Sequence, residues 1–297
     1  MTHPSTRGTL FLEQAEVLAQ RAFPADQYLL RLAAPETARR ARPGQFVHLT
    51  CDPLLPLRRP LSLLAADPAS GWIEILYKVV GRGTRLLGQR RPGDRLSLLG
   101  PIGRPFQPRP ERRRPLLIGG GVGMPPVIFL AHRLHGQAGC KPLVVLGSEV
   151  PFPLDPAPAT TASAGIPAEA DWSLPLLDEG GIPCRLASAS GLPGCFPGHV
   201  TDLAAHWLAG LAAAERDQVE IFACGPEPML EASARLAARW RLPAQLSLEE
   251  YMACGLGGCA GCTVAVHGAG GPRMERVCVD GPVFPAEAIY PQCFDSG

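Results

Sequence analysis

The first third of the chain carries short apolar runs separated by proline and glycine. The runs cover residues 28–32, 45–50, 72–77 and 95–99. Several of them alternate apolar and polar residues, which is the period of a half-buried strand. Pro43-Gly44 and Pro92-Gly93-Asp94 supply turn signals between them. This pattern predicts an antiparallel β-barrel or sandwich over residues 1–110.

The middle third alternates buried strands with helices. The predicted strands cover residues 115–118, 142–147, 183–188 and 219–224. One helix is expected over residues 127–134. A second is expected to end at Leu211, with Thr201 or Asp202 as its N-terminal cap, and a third follows the turn at residues 225–229 and ends at Trp240. This alternation predicts a parallel, Rossmann-like α/β domain over residues 111–243. Residues 150–175 are rich in proline, alanine and threonine, and we interpret them as an exposed inserted loop.

Composition narrows the classes of function. The chain has 297 residues, 46% of them apolar, and a net charge of +1, so a nucleic-acid or membrane-surface protein is not expected. No run of 18 apolar residues predicts a membrane helix, and the first twelve residues lack the pattern of a secretion signal. Ten cysteines in such a chain indicate reduced thiols and a cytoplasmic location. No role follows from the sequence for Cys51, Cys140, Cys184, Cys195 and Cys293.

Four cysteines near the end of the sequence have the spacing of a metal centre. Cys254, Cys259 and Cys262 follow C-x4-C-x2-C, and Cys278 comes fifteen intervening residues later. This spacing is typical of a plant-type 2Fe–2S cluster. The glycines between them let a loop turn with positive φ and bring N–H groups to the sulfur atoms. A structural zinc is the alternative, although zinc ribbons usually carry two C-x2-C pairs and only one is present here.

Two patterns in the first third could bind phosphate. Arg59-Pro60-Leu61-Ser62 combines a bidentate cation, a stiff bend and a hydroxyl group. Residues 77–84 leave a strand into a loop of glycines beside cations. A surface arginine or a basic hairpin tip is the more common explanation of either pattern taken alone.

Three features of the middle third suggest a nucleotide. The turn after Ile118 has the pattern G-x-G-x-x-P, which departs from the G-x-G-x-x-G of ordinary dehydrogenases but still places a helix N-terminus where a diphosphate can bind. Glu149 follows the next strand and could bond a ribose 2′-hydroxyl, which favours NAD over NADP; a solvated loop acid is the alternative. Cys224 ends a strand next to Gly225-Pro226, where open α/β sheets bind ligands, or it is a packed thiol.

The order of these motifs is more specific than any one of them. The chain carries R-P-L-S, G-R-G-T, G-D-R-L-S-L-L-G-P-I-G, G-G-G-V-G-M-P-P, C-G-P-E-P-M and the four cysteines, the last followed by V-D-G-P-V-F. The series resembles the ferredoxin–NADP reductase superfamily and, within it, the electron-transfer subunits of class 1B dihydroorotate dehydrogenase. The resemblance covers residues 8–284. It implies a β-barrel FAD domain, a Rossmann-like NAD domain and a small 2Fe–2S subdomain over residues 244–297.

The resemblance also implies cofactor contacts, residue by residue. FAD is expected at Arg59, Pro60, Leu61, Ser62, Leu76, Tyr77, Lys78, Gly83 and Thr84. NAD(H) is expected at Gly121, Gly123, Cys224, Gly225 and Pro226. The cluster ligands are expected to be Cys254, Cys259, Cys262 and Cys278. Ser62 is expected to act at the reactive edge of the flavin and Cys224 beside the nicotinamide.

The function implied is electron transfer in pyrimidine biosynthesis, between NAD(H), FAD and the cluster. The sequence offers no convincing base or substrate pocket for dihydroorotate, so that reaction is expected on an FMN-containing partner, in a heterotetramer with two copies of each chain. Two alternatives stay open. One is a reductase subunit of a hydrogenase-, glutamate synthase- or ferredoxin-linked complex, and the other is a zinc-stabilised module without redox activity. Residues 150–175 are longer than the family leads us to expect, which leaves partner contacts near them open.

Overall fold

A six-stranded β-barrel forms the first part of the computed structural model, which describes residues 9–294. Its strands are β1 (Phe11–Phe23), β2 (Gln27–Ala33), β3 (Phe46–Leu49), β4 (Arg59–Asp67), β5 (Trp72–Lys78) and β6 (Arg95–Ile102). They close in the order β1-β2-β5-β4-β3-β6, and every pair is antiparallel. The predicted antiparallel architecture is therefore confirmed, as a barrel and not a sandwich.

The remaining strands follow in chain order. They are β7 (Leu116–Gly120), β8 (Leu143–Gly147), β9 (Ala157–Pro158), β10 (Trp172–Ser173), β11 (Cys184–Ala187), β12 (Ile221–Cys224), β13 (Ala244–Ser247), β14 (Thr263–Gly268), β15 (Gly271–Arg276) and β16 (Val283–Pro285). The helices are α1 (Pro35–Arg40), α2 (Arg82–Leu87), α3 (Met124–His135), α4 (Pro175–Asp178), α5 (Val200–Gly210), α6 (Ala213–Arg216), α7 (Glu227–Trp240) and α8 (Ala286–Ile289). Within residues 9–294, no helix is both long enough and apolar enough to cross a lipid bilayer.

The start of β4 differs from the sequence-based expectation. Arg59 to Ser62, expected as a bend, is extended backbone that pairs with β3. Strand β5 pairs with β4 only from Leu63 onward, so Pro60 lies where one edge of β4 is free and a missing N–H is tolerated. The stretch around Gly83, expected as a loop, is the first turn of α2. Strand β1 was not predicted because most of its side chains are partly or fully exposed.

The central sheet has the order β11-β8-β7-β12-β13-β16, in which the first five strands are parallel and β16 is antiparallel. Helix α3 packs on one face, where Val127 and Ile128 join a core with Leu117 and Phe222. Helices α5 and α7 cover the other face through residues such as Trp207. This arrangement confirms the predicted Rossmann-like fold.

Two helix starts differ from the expectation by a few residues. Helix α3 begins at Met124, because Pro125 and Pro126 fit the first helical turn, where a missing N–H needs no partner. The N-terminal cap of α5 is His199 and not Thr201. Asp202 lies one turn further on, and its carboxylate accepts the backbone N–H of His199 at 3.3 Å.

Residues 150–175 form a mostly exposed segment that a few buried side chains near its two ends fasten to the domain, which corrects the prediction of an exposed loop in part. Phe152 and Leu174 are buried in the core under α3, and Ala170 is buried on the opposite face. Strands β9 and β10 pair with each other inside the segment. These buried side chains could not be predicted, because the few apolar residues of the segment follow neither a helical nor a strand period.

The third part of the protein is inserted between two strands of the central sheet. The chain leaves the sheet after β13, forms a loop and the β14–β15 hairpin, and returns through β16. A separate core joins Cys262 and Cys278 to Phe46 and Ile102 of the barrel. The domain boundaries at residues 110 and 243 stay predictions; β13, placed beyond the second boundary, pairs with β12. Residues 1–8 and 295–297 of those domains lie outside the described residues.

Candidate functional site

A cleft of about 1000 Å³ lies between the barrel and the carboxyl end of the central sheet. Eight of the nine residues predicted to bind FAD line it: Arg59, Pro60, Leu61, Ser62, Leu76, Tyr77, Lys78 and Thr84. The opposite wall comes from Val122 and from residues 247–253. A cleft of this size and mixed lining is typical of a site for a large cofactor.

The ninth residue, Gly83, makes room for Arg59. A Cβ atom at Gly83 would lie 2.7 Å from Nε of Arg59, so only glycine leaves space for the guanidinium at that place. The Nη1 atom of Arg59 donates to the carbonyl oxygen of Leu57 at 2.6 Å. Because a guanidinium has five N–H donors, others remain for an anion such as a pyrophosphate. This cradle fits the phosphate end of FAD.

Two predicted residues line the cleft mainly with their backbone. The Tyr77 ring packs inside the barrel, stacked on Tyr28 with 5.5 Å between ring centroids, and its hydroxyl donates to Gln20 at 3.1 Å. The Thr84 hydroxyl accepts the N–H groups of Val80 and Gly81 at 3.0 and 3.2 Å and lies 3.2 Å from the Gly81 carbonyl oxygen, to which it donates. Since a hydroxyl has one donor and two acceptor sites, these local bonds fix the start of α2.

The two turns predicted to face NAD(H) touch each other. A Cβ atom at Gly123 would lie 2.4 Å from the carbonyl carbon of Cys224 and 2.5 Å from the nitrogen of Gly225. Glycine at position 123 is therefore needed for the close approach of the turns after β7 and β12. Gly121 and Pro226 are exposed beside this contact. Glu149 accepts the Ser190 hydroxyl at 2.7 Å.

Cys224 is buried beneath the cleft and does not line it. Burial and the nearby Glu249 carboxylate raise the pKa of its thiol far above the ordinary range. The buried thiol packs as an uncharged group, and its place beside the nicotinamide stays a prediction.

Sequence reasoning missed Glu249, which lines the cleft. Although its side chain is exposed at the open side of the cleft, desolvation by the walls raises the pKa of its carboxyl. It follows Ser247, whose strand pairs with that of Cys224. A carboxylate just after the carboxyl end of a parallel strand is the signal that could have found it.

The four predicted metal ligands lie together as two pairs of thiols. The side chains of Cys254 and Cys259 are hydrogen-bonded to each other, and so are those of Cys262 and Cys278; all four cysteines are free thiols. Two pairs suit a cluster in which each of two irons takes two cysteines. In the part of the chain that the structure describes, no group of three or more His, Cys, Asp or Glu side chains is arranged to hold a metal ion.

Backbone N–H groups of the loop are directed at sulfur. The Sγ atom of Cys254 accepts the N–H of Leu256 at 3.3 Å, and that of Cys259 accepts the N–H of Gly261 at 3.5 Å. Burial acts to raise the pKa of Cys254, but hydrogen bonds from the N–H groups of Leu256, Cys259 and Gly258 and from the Cys259 side chain outweigh it and lower the pKa to about 6. A loop that stabilises thiolates in this way fits an iron–sulfur cluster.

Arg276 fastens this loop to the hairpin. Its Nη1 atom donates to the carbonyl oxygen of Gly257 at 3.1 Å, and its Nε atom donates to Asp280 at 3.0 Å. Gly257 has a φ of 78°, and a Cβ atom there would lie 2.9 Å from Val279. The loop between the first two cysteines is thus held by a cation and by close contact with the turn that contains Cys278.

Strand β3 lies beside both the cleft and the core that contains two of the thiols. Val47 and Leu49 point into the barrel, whereas Phe46 points outward, lines the cleft and belongs to the same core as Cys262 and Cys278. His48, the next outward residue, is fully buried beside Gly255. Sequence reasoning missed both residues; the alternation along β3 gives the two faces, but not what covers the outer one.

Comparison with known proteins identifies the family. Residues 249–290 match the family model described as the iron–sulfur cluster binding domain of dihydroorotate dehydrogenase B. The dihydroorotate dehydrogenase B (NAD+) electron-transfer subunit of Geobacillus thermodenitrificans is 39% identical over 284 residues, which are 93% of this chain and 98% of that one. The subunit of Desulforamulus reducens is 33% identical over 276 residues, 92% of this chain and 95% of its own. The chain belongs to this family of electron-transfer subunits.

Solved structures support the same fold. The NADH-dependent reduced ferredoxin–NADP oxidoreductase, studied for flavin-based electron bifurcation, aligns with a TM-score of 0.74 and 28% identity over 93% of this chain and 90% of its own. A ferredoxin reductase of carbazole 1,9a-dioxygenase aligns with a TM-score of 0.61 over 78% of this chain and 67% of its own, at 24% identity, and shows the fold alone. The resemblance seen in the sequence is confirmed, together with FAD, a 2Fe–2S cluster and NAD(H) as the cofactors of an oxidoreductase subunit.

Proposed function

We propose that this protein carries electrons between NAD(H), FAD and a 2Fe–2S cluster and passes them to, or takes them from, an FMN-containing dihydroorotate dehydrogenase catalytic subunit of pyrimidine biosynthesis in the cytoplasm. The observation that carries the proposal is the position of Phe46. One side chain lines the cleft and also packs in the core that contains Cys262 and Cys278. A flavin in the cleft and a cluster on the thiols would therefore be neighbours, with Phe46 beside both.

The side chains of the cleft have the following roles in this proposal. The Arg59 guanidinium binds the pyrophosphate of FAD, and the Ser62 hydroxyl orients the flavin ring. When bound, FAD accepts an electron pair from NADH and releases electrons one at a time, which a 2Fe–2S cluster requires. Gly123 and Gly225 keep the two nucleotide turns close enough for the nicotinamide to bind against them. Glu249, with its raised pKa, can hold a proton at its carboxyl group beside the ring.

In this proposal, electrons leave the flavin through a cluster that the four thiolates would hold. Cys254, Cys259, Cys262 and Cys278 hold the irons, while the N–H groups of Leu256 and Gly261 neutralise part of the charge on the sulfur atoms. Cys259 and Gly261 are exposed, so the cluster side of the loop faces the surface that a partner can reach. We propose a heterotetramer with two copies of each subunit.

An absorption experiment tests the relay. The pure chain is prepared without oxygen, its iron, zinc and flavin are assayed, and its spectrum is recorded before and after NADH. We expect two irons, one FAD and bleaching of both flavin and cluster bands. Cys278→Ala should lose the cluster bands but keep flavin reduction, whereas Cys140→Ala, outside the site, should keep both. Zinc without iron, or a spectrum that NADH does not change, would contradict the proposal.

A second candidate is a reductase subunit for a different partner. It is favoured by the 28% identity and TM-score of 0.74 to the NADH-dependent ferredoxin–NADP oxidoreductase. The identity of the chain that co-purifies at native expression levels distinguishes the two candidates. A flavoprotein that converts dihydroorotate to orotate supports the first, and a hydrogenase- or ferredoxin-linked chain supports the second.

A further inference from the structure

His48 is a buried imidazole without a partner. Its side chain has no exposed surface, and neither Nδ1 nor Nε2 makes a hydrogen bond within residues 9–294. An unpaired buried donor costs about 1–3 kcal/mol, so native proteins rarely keep one without a reason. Such a group points to an ion, a water molecule or a cofactor that completes its hydrogen bonds.

The surroundings of His48 indicate which group that is. A Cβ atom at Gly255 would lie 2.9 Å from both Cε1 and Nδ1 of the ring, so this edge of the imidazole faces the residue that follows Cys254. On the other side, the ring of Phe46 lies 5.9 Å away between centroids. His48 is not among the residues that line the cleft. The ring therefore belongs to the cluster side of β3.

The backbone of His48 is held in place by Arg58. The Nη1 atom of Arg58 donates to the carbonyl oxygens of His48 at 3.3 Å and Ser97 at 2.8 Å, and its Nη2 atom donates to the Ser97 hydroxyl at 2.9 Å. These bonds tie β3 to β6 and fix the backbone position from which the imidazole projects. Glycine at position 255 lets the cluster loop approach the ring closely.

We propose that His48 donates a hydrogen bond from its ring to a sulfur atom of the 2Fe–2S cluster or of its ligand Cys254, and thereby raises the reduction potential of the cluster. This inference rests on the proposed function. Sulfur is the acceptor that the loop would bring to this side of β3, and reduction adds negative charge to it. A hydrogen bond that is stronger to the reduced cluster favours the reduced state.

A matched pair of substitutions tests the proposal. Asparagine places an N–H donor near the position of Nδ1, whereas leucine has a similar shape and no donor. In redox titrations followed by the electron paramagnetic resonance of the reduced cluster, we expect His48→Leu to lower the equilibrium constant for cluster reduction about tenfold, a shift of about 59 mV for one electron. His48→Asn should restore the wild-type value. Flavin content and the flavin potential should be the same in both variants.

Three outcomes decide the matter. Full iron content in His48→Leu with an unchanged potential overturns the proposal but leaves the relay intact, whereas a wild-type chain without iron overturns the relay itself. If neither variant retains iron, pulsed electron paramagnetic resonance of the wild-type cluster, with all histidine labelled with nitrogen-15, gives the answer. A coupling to labelled nitrogen supports the hydrogen bond. The absence of such a coupling means that a buried water molecule, and not the cluster, accepts the hydrogen bond of the His48 ring.

Discussion

At the residue scale, the site depends on glycines whose missing Cβ atoms leave room for a functional neighbour. Gly83 leaves space for the Arg59 guanidinium, and Gly123 for the carbonyl of Cys224. Gly255 does the same for His48. The sequence identified the first two glycines as candidates through the family resemblance. It could not identify the contacts, because each neighbour is distant along the chain and is brought near only by the fold.

Substitution of Gly83 separates the role of this space from the stability of α2. In Gly83→Ala, the new methyl group displaces the Arg59 guanidinium, and a charge-assisted hydrogen bond to the pyrophosphate weakens. We expect the dissociation constant of FAD to rise about tenfold, measured by the return of flavin fluorescence on release. The chain without FAD should be as stable as wild type or more so, since alanine favours a helix by about 1 kcal/mol over glycine.

Gly81→Ala is the control for this change. A Cβ atom at Gly81 meets no atom within 4 Å, and its φ of −166° is open to any residue. FAD affinity should therefore stay close to the wild-type value. Equal losses of affinity in the two variants would show that Arg59 does not depend on the space at position 83.

At the element scale, the elements that were predicted from the sequence are those marked by signals close together in the chain. Strand β7, its glycine turn and α3 were predicted because the apolar run, the turn and the prolines are adjacent in the chain. The cluster ligands were predicted for the same reason, since three of them lie within nine residues. Phe46 and His48 were missed because nothing local marks the buried outer face of β3. Glu249 was missed although its place just after the carboxyl end of β13 is a signal for it. The burial of a few side chains in residues 150–175 was missed because it depends on contacts with both faces of the sheet, which no local pattern marks.

Asp178 holds that segment in place. Its carboxylate accepts the N–H and hydroxyl of Thr160 at 2.8 and 2.5 Å and the N–H of Thr161 at 2.9 Å. Burial acts to raise the pKa of Asp178, but hydrogen bonds from the two threonines outweigh it and hold the pKa well below the ordinary value. Arg185 adds a bond from Nη2 to the Thr161 carbonyl oxygen at 2.7 Å.

Asp178→Asn should lower the free energy of unfolding by about 1–2 kcal/mol at pH 7, because an amide is a weaker acceptor and carries no charge. A carboxyl with a lowered pKa in the folded state stabilises it fully above the unfolded pKa of about 3.9 and loses that effect as pH falls further. The difference between wild type and variant in urea titrations should thus be equal at pH 7 and pH 5.5. The control is Glu179→Gln, a change at the exposed residue next to Asp178, and its free energy of unfolding should match that of wild type. A difference that shrinks between pH 7 and 5.5 would contradict this reading.

At the scale of the whole molecule, four cores are joined in one chain. The barrel has its own core, and the central sheet has one on each face. Among the described residues, the stretch from 254 to 280 contributes to none of these three and only to the core that contains Cys262 and Cys278. That fourth core includes Phe46 and Ile102, which belong to strands of the barrel. The cluster region thus depends on the barrel, but the barrel has an apolar core without it.

Removal of iron should therefore loosen one region and leave the rest folded. Without metal, four thiols that lie close together lose the bonds that hold them, and a small core cannot replace that free energy. In hydrogen exchange of the chain prepared without iron, we expect amides of residues 254–280 to exchange about tenfold faster or more, while those of β7, β12 and the barrel keep their protection. FAD should stay bound, since its predicted contacts come from the barrel. The control is the Cys140→Ala chain with and without iron, which should repeat the wild-type pattern. If protection fell by the same factor in the barrel and in residues 254–280, the cores would form a single cooperative unit, and the cluster would be required for folding as well as for electron transfer.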